Sequence, residues 1–203
     1  MTCRAALLFA LLLAPAAFAR STPTIVCFGD SLTAGYGAAT GHSYPDYLQQ
    51  MLDSHGYHYR VVNMGISGDT TKDGVSRLNS VIAAHPAIAV VEFGGNDVLR
   101  GLPITATSAN LDHIIATLQH AGIKVALAGI TLPPNYGSDY IRAVGQTYAL
   151  AAKKFDVPLL PFILSNVYTV PGAMQPDGVH GTAKGNKLMA ENVFGLLKPM
   201  LKK

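Results

Sequence analysis

Cysteine is nearly absent from this sequence, which has two cysteines among its 203 residues. Cys3 lies in an N-terminal segment that we expect to be removed, so Cys27 would remain alone and an internal disulfide is excluded. Cys27 itself lies in the apolar run 24–28, where a cysteine usually serves as a small buried hydrophobic side chain. We therefore expect stability to come from the core, for which 49% hydrophobic residues are ample.

Charge is also scarce, because only 13% of the residues are Asp, Glu, Lys or Arg and the formal net charge is +3. Apart from Lys202 and Lys203, the basic residues are scattered, and this excludes the basic stripe of a nucleic-acid partner. No phosphate-binding glycine motif follows the first apolar run, and the pair His55 and His58 has no third ligand in a metal-binding pattern. We predict no cofactor and no metal.

The first residues differ from the rest of the chain. Arg4 is followed by an apolar run over residues 5–13 and by Ala17-Phe18-Ala19, which is the pattern of a signal peptide with its cleavage site. The apolar run is too short for an ordinary membrane-spanning helix. We predict a cleaved signal peptide over residues 1–19, a single domain over residues 20–203, a periplasmic or secreted location and no stable membrane anchor; the oligomeric state stays open.

Short apolar runs rich in β-formers alternate with longer amphipathic stretches along the remaining chain. The predicted strands are Thr24 to Phe28, Tyr59 to Met64, Ile88 to Phe93, Lys124 to Gly129 and Pro158 to Pro161. The predicted helices begin after Ser43 and Thr70 and cover Ala106 to Ala121, Asp139 to Phe155 and Thr182 to Leu197. This alternation predicts an α/β fold, a three-layer α/β/α sandwich with a mostly parallel five-stranded sheet of flavodoxin-like type.

Polar residues follow the predicted strands, at the edge where such sheets bind ligands. Ser31 lies in a turn after the first strand, and near the carboxyl end Asp177 precedes His180 by three residues. This set supplies a nucleophile, a general base and a residue that orients the base. The backbone N–H groups of Ser31 and Gly68 and the side chain of Asn96 are candidate oxyanion donors. Each motif alone is also typical of an ordinary turn.

The stretches Gly29-Asp30-Ser31-Leu32, Gly68, Gly94-Gly95-Asn96-Asp97 and Asp177-x-x-His180 together resemble the four sequence blocks of the GDSL or SGNH hydrolase superfamily. The α/β-hydrolase elbow Gly-x-Ser-x-Gly is not matched, because Leu32 and Thr33 follow Ser31. Further stretches resemble the periplasmic bacterial acyl-CoA thioesterases, lysophospholipases and arylesterases of that superfamily.

The resemblance implies that Ser31, Asp177 and His180 form the catalytic triad and that Ser31, Gly68 and Asn96 form the oxyanion hole. It also implies that Leu99, Leu102 and Leu132 contact the acyl chain of the substrate. The sequence departs from the family at Gly181, where relatives usually have proline after the catalytic histidine, and a looser backbone behind His180 is expected.

The predicted function is hydrolysis of acyl esters or acyl thioesters, such as aryl esters, acyl-CoA and lysophospholipids, through an acyl-enzyme intermediate. A carbohydrate acetylesterase would use the same triad with a different pocket, because the fold does not determine the substrate. A catalytically silent binding protein for lipid or glycan is the alternative outside enzymes, and peptidase activity is a weaker one.

Overall fold

A computed structural model of the protein describes residues 22–203. The predicted signal peptide, residues 1–19, lies outside the described residues. Strands β1 to β5 are Thr24–Gly29, Arg60–Asn63, Ile88–Glu92, Lys124–Ala128 and Leu159–Leu160. Helices α1 to α8 are Ser31–Ala34, Tyr44–Ser54, Thr71–Ser76, Leu78–Ala83, Gly95–Leu99, Ile104–His120, Ser138–Phe155 and Ala183–Leu197.

The five strands form one parallel sheet in the order β2-β1-β3-β4-β5. Every residue of β1 and β3 is buried, as expected for central strands that are covered by helices on both faces. Helix α2 packs against α8, whereas α6 packs against α3, α4 and α7, so two helical layers flank the sheet. The predicted three-layer α/β/α sandwich is confirmed.

Helices α2 and α3 begin where the sequence predicts them to begin. The side chain of Ser43 accepts a hydrogen bond from Asp46 N, and the Asp46 carboxylate accepts one from Ser43 N, which is a capping box at the start of α2. Thr70 and Asp73 form a second capping box at the start of α3. Three short helices, α1, α4 and α5, were not predicted, because segments of four to six residues carry no hydrophobic period. Strand β5 has only two residues, fewer than the predicted run.

Candidate active site

Ser31 is the first residue of α1 and follows β1 after a single intervening residue. The carboxylate of that residue, Asp30, accepts a hydrogen bond from Leu32 N at 3.0 Å and thereby caps the helix. A side chain at Gly29 would have its Cβ 2.1 Å from Thr33 Oγ1, so the turn can close this tightly only with glycine. These contacts place the Ser31 hydroxyl at the carboxyl edge of the sheet.

A chain of hydrogen bonds joins the three predicted triad residues. His180 Nε2 lies 2.8 Å from Ser31 Oγ, and His180 Nδ1 lies 2.7 Å from Asp177 Oδ2. Partial desolvation raises the pKa of Asp177, but hydrogen bonds from the His180 ring and from the backbone N–H groups of His180 and Val179 outweigh it and lower this pKa to about 2. Asp177 is therefore an anion at neutral pH, beside the imidazole that it contacts.

The loop that carries His180 is held by contacts that the sequence did not indicate. Gln175 N donates to His180 O at 2.8 Å, and Gln175 Nε2 donates both to Gly181 O at 2.9 Å and to Tyr36 O at 2.7 Å. The Tyr36 ring lies against the imidazole, with 4.7 Å between the ring centroids. The two contacts of Tyr36 span more than a hundred residues, so no local pattern could have revealed them.

Gly181 is tightly packed rather than loose. It is buried and pairs with Met174 in an antiparallel bridge, and a Cβ placed on it would lie 3.0 Å from Met189 Cε and 3.2 Å from Asn186 N. The backbone behind His180 is thus fixed by pairing and packing, without the proline that relatives usually have.

Of the two other predicted oxyanion residues, Gly68 lies in the loop before α3 and Asn96 lies in α5. Gly68 has a φ of +90°, which favours glycine, and its carbonyl oxygen accepts a hydrogen bond from Arg100 Nη2 at 2.7 Å. Asn96 lies in α5, and its Nδ2 donates to Asp69 O at 2.9 Å and to Asp30 Oδ2 at 3.2 Å. Both N–H groups of this amide therefore have protein acceptors.

The Arg77 side chain is hydrogen-bonded to the loop that contains Gly68. Its Nε pairs with Asp69 Oδ2 at 2.7 Å, while Nη1 and Nη2 donate to the backbone oxygens of Met64 and Gly29. The guanidinium also lies over the Phe28 ring, 4.8 Å from its centroid. Sequence reasoning missed Arg77, because its partners lie at the end of β1 and in the loop between β2 and α3 and share no motif with it.

An apolar cavity of about 320 Å³ adjoins the triad. It is bordered by Asp177 and by Leu32, the neighbour of Ser31, and Leu99 and Leu132 contribute to its wall. The other apolar and aromatic lining residues are Val98, Ile130, Pro133, Tyr136, Phe162, Leu164, Tyr168 and Val179. Leu102, the third predicted contact residue, is 37% exposed and lies outside this lining.

A second cavity, of about 520 Å³, lies at the opposite edge of the sheet between Pro23, Tyr59, Ile88, Lys124 and neighbouring residues. Although it is larger, it contains none of the predicted site residues. Parallel α/β sheets bind their ligands at the carboxyl ends of the strands, and the cavity beside Ser31 is the one at that edge.

Between residues 22 and 203, no three His, Cys, Asp or Glu side chains come together as a metal-binding group. None of the helices in this part of the chain combines the length and the apolar character needed to cross a bilayer.

A parallel α/β/α sandwich with hydrogen-bonded serine, histidine and aspartate at its carboxyl edge is the architecture of an SGNH-type hydrolase. Residues 27–188 match the GDSL-like lipase/acylhydrolase family, and the chain belongs to that family.

Named relatives agree with this assignment. The chain is 42% identical to an esterase, TesA, of Pseudomonas aeruginosa over 88% of this chain and 89% of that protein. It is 38% identical to thioesterase 1/protease 1/lysophospholipase L1 of Escherichia coli over 90% of this chain and 87% of that protein. It is 36% identical to an arylesterase of Vibrio mimicus over 87% of this chain and 89% of that protein. The chain is an enzyme, a carboxylic ester or thioester hydrolase of the GDSL type.

Solved structures show the same fold. A crystal structure of TesA superimposes with a TM-score of 0.84 at 42% identity and covers 88% of this chain and 99% of that one. The esterase EstA from Pseudoalteromonas sp., in a form inhibited by monoethylphosphonate, superimposes with a TM-score of 0.82 at 28% identity and covers 87% of this chain and 97% of that one.

Proposed function

We propose that the protein is an exported serine esterase or thioesterase that cleaves acyl esters or acyl thioesters through an acyl-enzyme intermediate on Ser31. The observation that carries this proposal is the unbroken chain from Ser31 Oγ through His180 to Asp177, with contacts of 2.8 and 2.7 Å. Such a chain converts a weakly nucleophilic hydroxyl into an attacking group.

In the first half of the reaction, Ser31 Oγ attacks the carbonyl carbon of the substrate while His180 Nε2 takes the hydroxyl proton. The tetrahedral intermediate then collapses, and His180 gives the proton to the departing alcohol or thiol. In the second half, His180 activates a water molecule in the same way, and the acyl group leaves Ser31 as a carboxylic acid. Asp177 holds the imidazole in the tautomer that this sequence needs and stabilises its protonated form.

The developing oxyanion would be bound by the backbone N–H groups of Ser31 and Gly68 and by the side chain of Asn96. Ser31 supports this role because the first N–H groups of a helix have no acceptor within the helix. For Asn96, the oxyanion would replace the longer of its two present contacts, the one to Asp30 at 3.2 Å. Donors of this kind act mainly on charge that appears in the transition state.

The cavity next to Ser31 would hold the acyl chain of the substrate. Its apolar wall, including Leu99 and Leu132, favours an acyl group longer than acetyl. We propose thioesters such as acyl-CoA, aryl esters and lysophospholipids as substrates, because the relatives described above are a thioesterase and lysophospholipase and an arylesterase. A carbohydrate acetylesterase would need a pocket for acetyl and sugar groups instead.

The proposal is tested by kinetics of Ser31→Ala and His180→Ala on an aryl ester and an acyl-CoA. Each change is expected to lower kcat by about 10⁶-fold, as removal of a nucleophile or base does in other triads, and Asp177→Asn is expected to cost less. Ser80→Ala and His120→Ala, at exposed helical positions away from the site, are the matched controls and should retain normal turnover. Near-normal hydrolysis by purified Ser31→Ala would contradict the proposal.

A further inference from the structure

Two carboxyl groups lie buried directly behind Ser31. Asp30 immediately precedes Ser31 and is 2% exposed, while Glu92, the last residue of β3, is fully buried. Gly29 is the register partner of Glu92 across β1 and β3, so the two acids lie side by side at the carboxyl edge of the sheet. The catalytic cycle proposed above uses neither of them.

Glu92 lacks the partners that an ionised carboxylate needs. Its Oε2 accepts one hydrogen bond, from Thr33 Oγ1 at 2.8 Å, whereas its Oε1 is buried and has no hydrogen-bond donor in the described part of the chain. No salt bridge reaches Glu92 or Asp30 from the cationic side chains of residues 22–203. A buried carboxylate without a partner is costly, and protonation is the ordinary way to relieve that cost.

The carboxyl groups of Asp30 and Glu92 are close neighbours, and each affects the ionisation of the other. Both groups are acceptors when ionised, so a hydrogen bond between them requires one of them to carry a proton. Asp30 has other donors that favour its anion, namely Leu32 N at 3.0 Å and Asn96 Nδ2 at 3.2 Å. Among the described residues, the Thr33 hydroxyl is the one side-chain donor to Glu92 in the hydrogen-bond network.

The directions of the pKa shifts agree with this division. Burial raises the pKa of Glu92 well above its ordinary value, and the neighbouring Asp30 charge raises it further. Burial also raises the pKa of Asp30, but the hydrogen bonds from Leu32 N and from Glu92 oppose that effect and leave it at about 6. These directions agree with an ionised Asp30 beside a protonated Glu92.

We propose that Glu92 is a neutral carboxylic acid that donates a hydrogen bond to the Asp30 carboxylate, and that this pair positions the Ser31 turn and the Asn96 amide. The inference deepens the function proposed above and rests on it, because it assigns a task to residues next to the proposed nucleophile and oxyanion hole. Glu92 is a positioning residue, since it contacts neither substrate nor Ser31.

The proton on Glu92 serves two purposes in this arrangement. It keeps the Asp30 carboxylate in the orientation that caps α1 and receives Asn96 Nδ2. It also limits the buried charge behind the oxyanion to that of Asp30, whereas a second carboxylate would repel the negative charge of the tetrahedral intermediate at low dielectric.

Other titratable groups surround the pair, and the phenol and thiol groups among them are uncharged at neutral pH. Tyr44 from α2 and Tyr148 from α7 are buried, and burial raises both of their pKa values well above 10. Cys27 in β1 lies beside Tyr44, and burial raises the pKa of its thiol to about 12. The remaining ionisable neighbours are Asp97 in α5 and His180.

Infrared spectroscopy of the full folded protein tests the proposal without reference to activity. At neutral pH, the difference spectrum of wild type minus Glu92→Gln should contain the carbonyl stretch of one protonated carboxyl group. Asp97→Asn is the matched control: Asp97 is also buried, but Thr71 N and the Thr71 and Thr107 hydroxyls donate to it, so its removal should leave this band unchanged. Absence of the band from the Glu92→Gln difference overturns the proposal, whatever Ser31→Ala does.

Kinetics then separate positioning from bulk packing. The amide of Glu92→Gln still donates to Asp30 and should keep kcat within about threefold of wild type, whereas Glu92→Leu should lower kcat by about 10- to 100-fold with little change in KM. If Glu92→Leu does not fold, Glu92→Gln and the infrared band decide. A Glu92→Gln enzyme whose kcat is lowered by about 10- to 100-fold, as expected for Glu92→Leu, would overturn the proposal. An active Ser31→Ala enzyme would remove the proposed function and leave the infrared result standing.

Discussion

The side chain of Asn96 already donates two hydrogen bonds, to Asp69 O and to Asp30 Oδ2, before any substrate is present. A contribution to catalysis therefore requires one N–H group to turn to the oxyanion as charge develops. We expect Asn96→Ala to lower kcat by about 10²- to 10³-fold with KM changed only a few fold, because the donor acts on the transition state.

Asn96→Asp sharpens this measurement, since it keeps the shape of the side chain but replaces the donor with an anionic acceptor. It should be at least as slow as Asn96→Ala. A structural role would instead lower the melting temperature and spare kcat, so wild-type kcat in folded Asn96→Asp would remove Asn96 from the oxyanion hole.

At the scale of single residues, the sequence was sufficient to predict that Ser31, Asp177 and His180 act together, because Ser31 follows a predicted strand and Asp177 and His180 stand in a short motif near the carboxyl end. The structure brings these three into one hydrogen-bonded chain. Glu92 and Arg77 could not be found in this way. Glu92 lies within the predicted strand Ile88 to Phe93 and belongs to no short motif. The partners of Arg77 lie 8 to 48 positions away from it in the sequence.

The segments that follow the strands at the carboxyl edge of the sheet are the elements that would set substrate preference. Leu99 lines the cavity beside the triad and Leu102 does not, although the two are three residues apart. Each buried methylene of an acyl chain is worth about 0.8 kcal/mol, which corresponds to about fourfold in kcat/KM. We expect kcat/KM to rise with acyl length from acetyl to medium chains, by up to that factor per methylene.

Leu99→Ala should make this rise shallower, and Leu102→Ala is the matched control that should leave it unchanged. Leu99 is 52% exposed, so its truncation has little effect on folding. A strict preference for acetyl esters in the wild-type enzyme would favour the carbohydrate acetylesterase and count against an acyl groove.

Elements with a clear period or cap were predictable and short ones were not. Ser43, Thr70 and Thr182 each cap a helix through the side-chain oxygen, and the predicted starts are correct to within two residues. Helix α5 begins after Gly94, which has a φ of +115° and whose lack of a side chain leaves room for Tyr148 Oη, the donor of a hydrogen bond to Phe93 O. A contact between residues so distant in the chain leaves no local signal.

For the molecule as a whole, the buried acid pair couples stability to pH. A glutamate in the unfolded chain ionises near pH 4.3, whereas Glu92 in the folded protein keeps its proton to a higher pH. Because the folded state then binds more protons, the free energy of unfolding decreases as the pH rises from about 4.3 through the folded pKa of Glu92.

Glu92→Gln cannot titrate and should escape this loss. We expect the melting temperature of Glu92→Gln, relative to wild type, to be higher at pH 8 than at pH 5. The comparison uses the change with pH and not the absolute value, so any constant effect of the amide cancels. A difference that is independent of pH would mean that Glu92 ionises alike in the folded and unfolded states.

Covalent trapping tests the central claim, that Ser31 is an activated nucleophile, most directly. A fluorophosphonate reacts with a serine only where a neighbouring base makes the hydroxyl nucleophilic. Incubation of the folded enzyme, followed by mass spectrometry of its peptides, is expected to place one phosphonyl group on Ser31, to show none in Ser31→Ala and to show much slower labelling in His180→Ala. An adduct on another residue, or no adduct in folded enzyme that still hydrolyses esters, would contradict the assignment of Ser31.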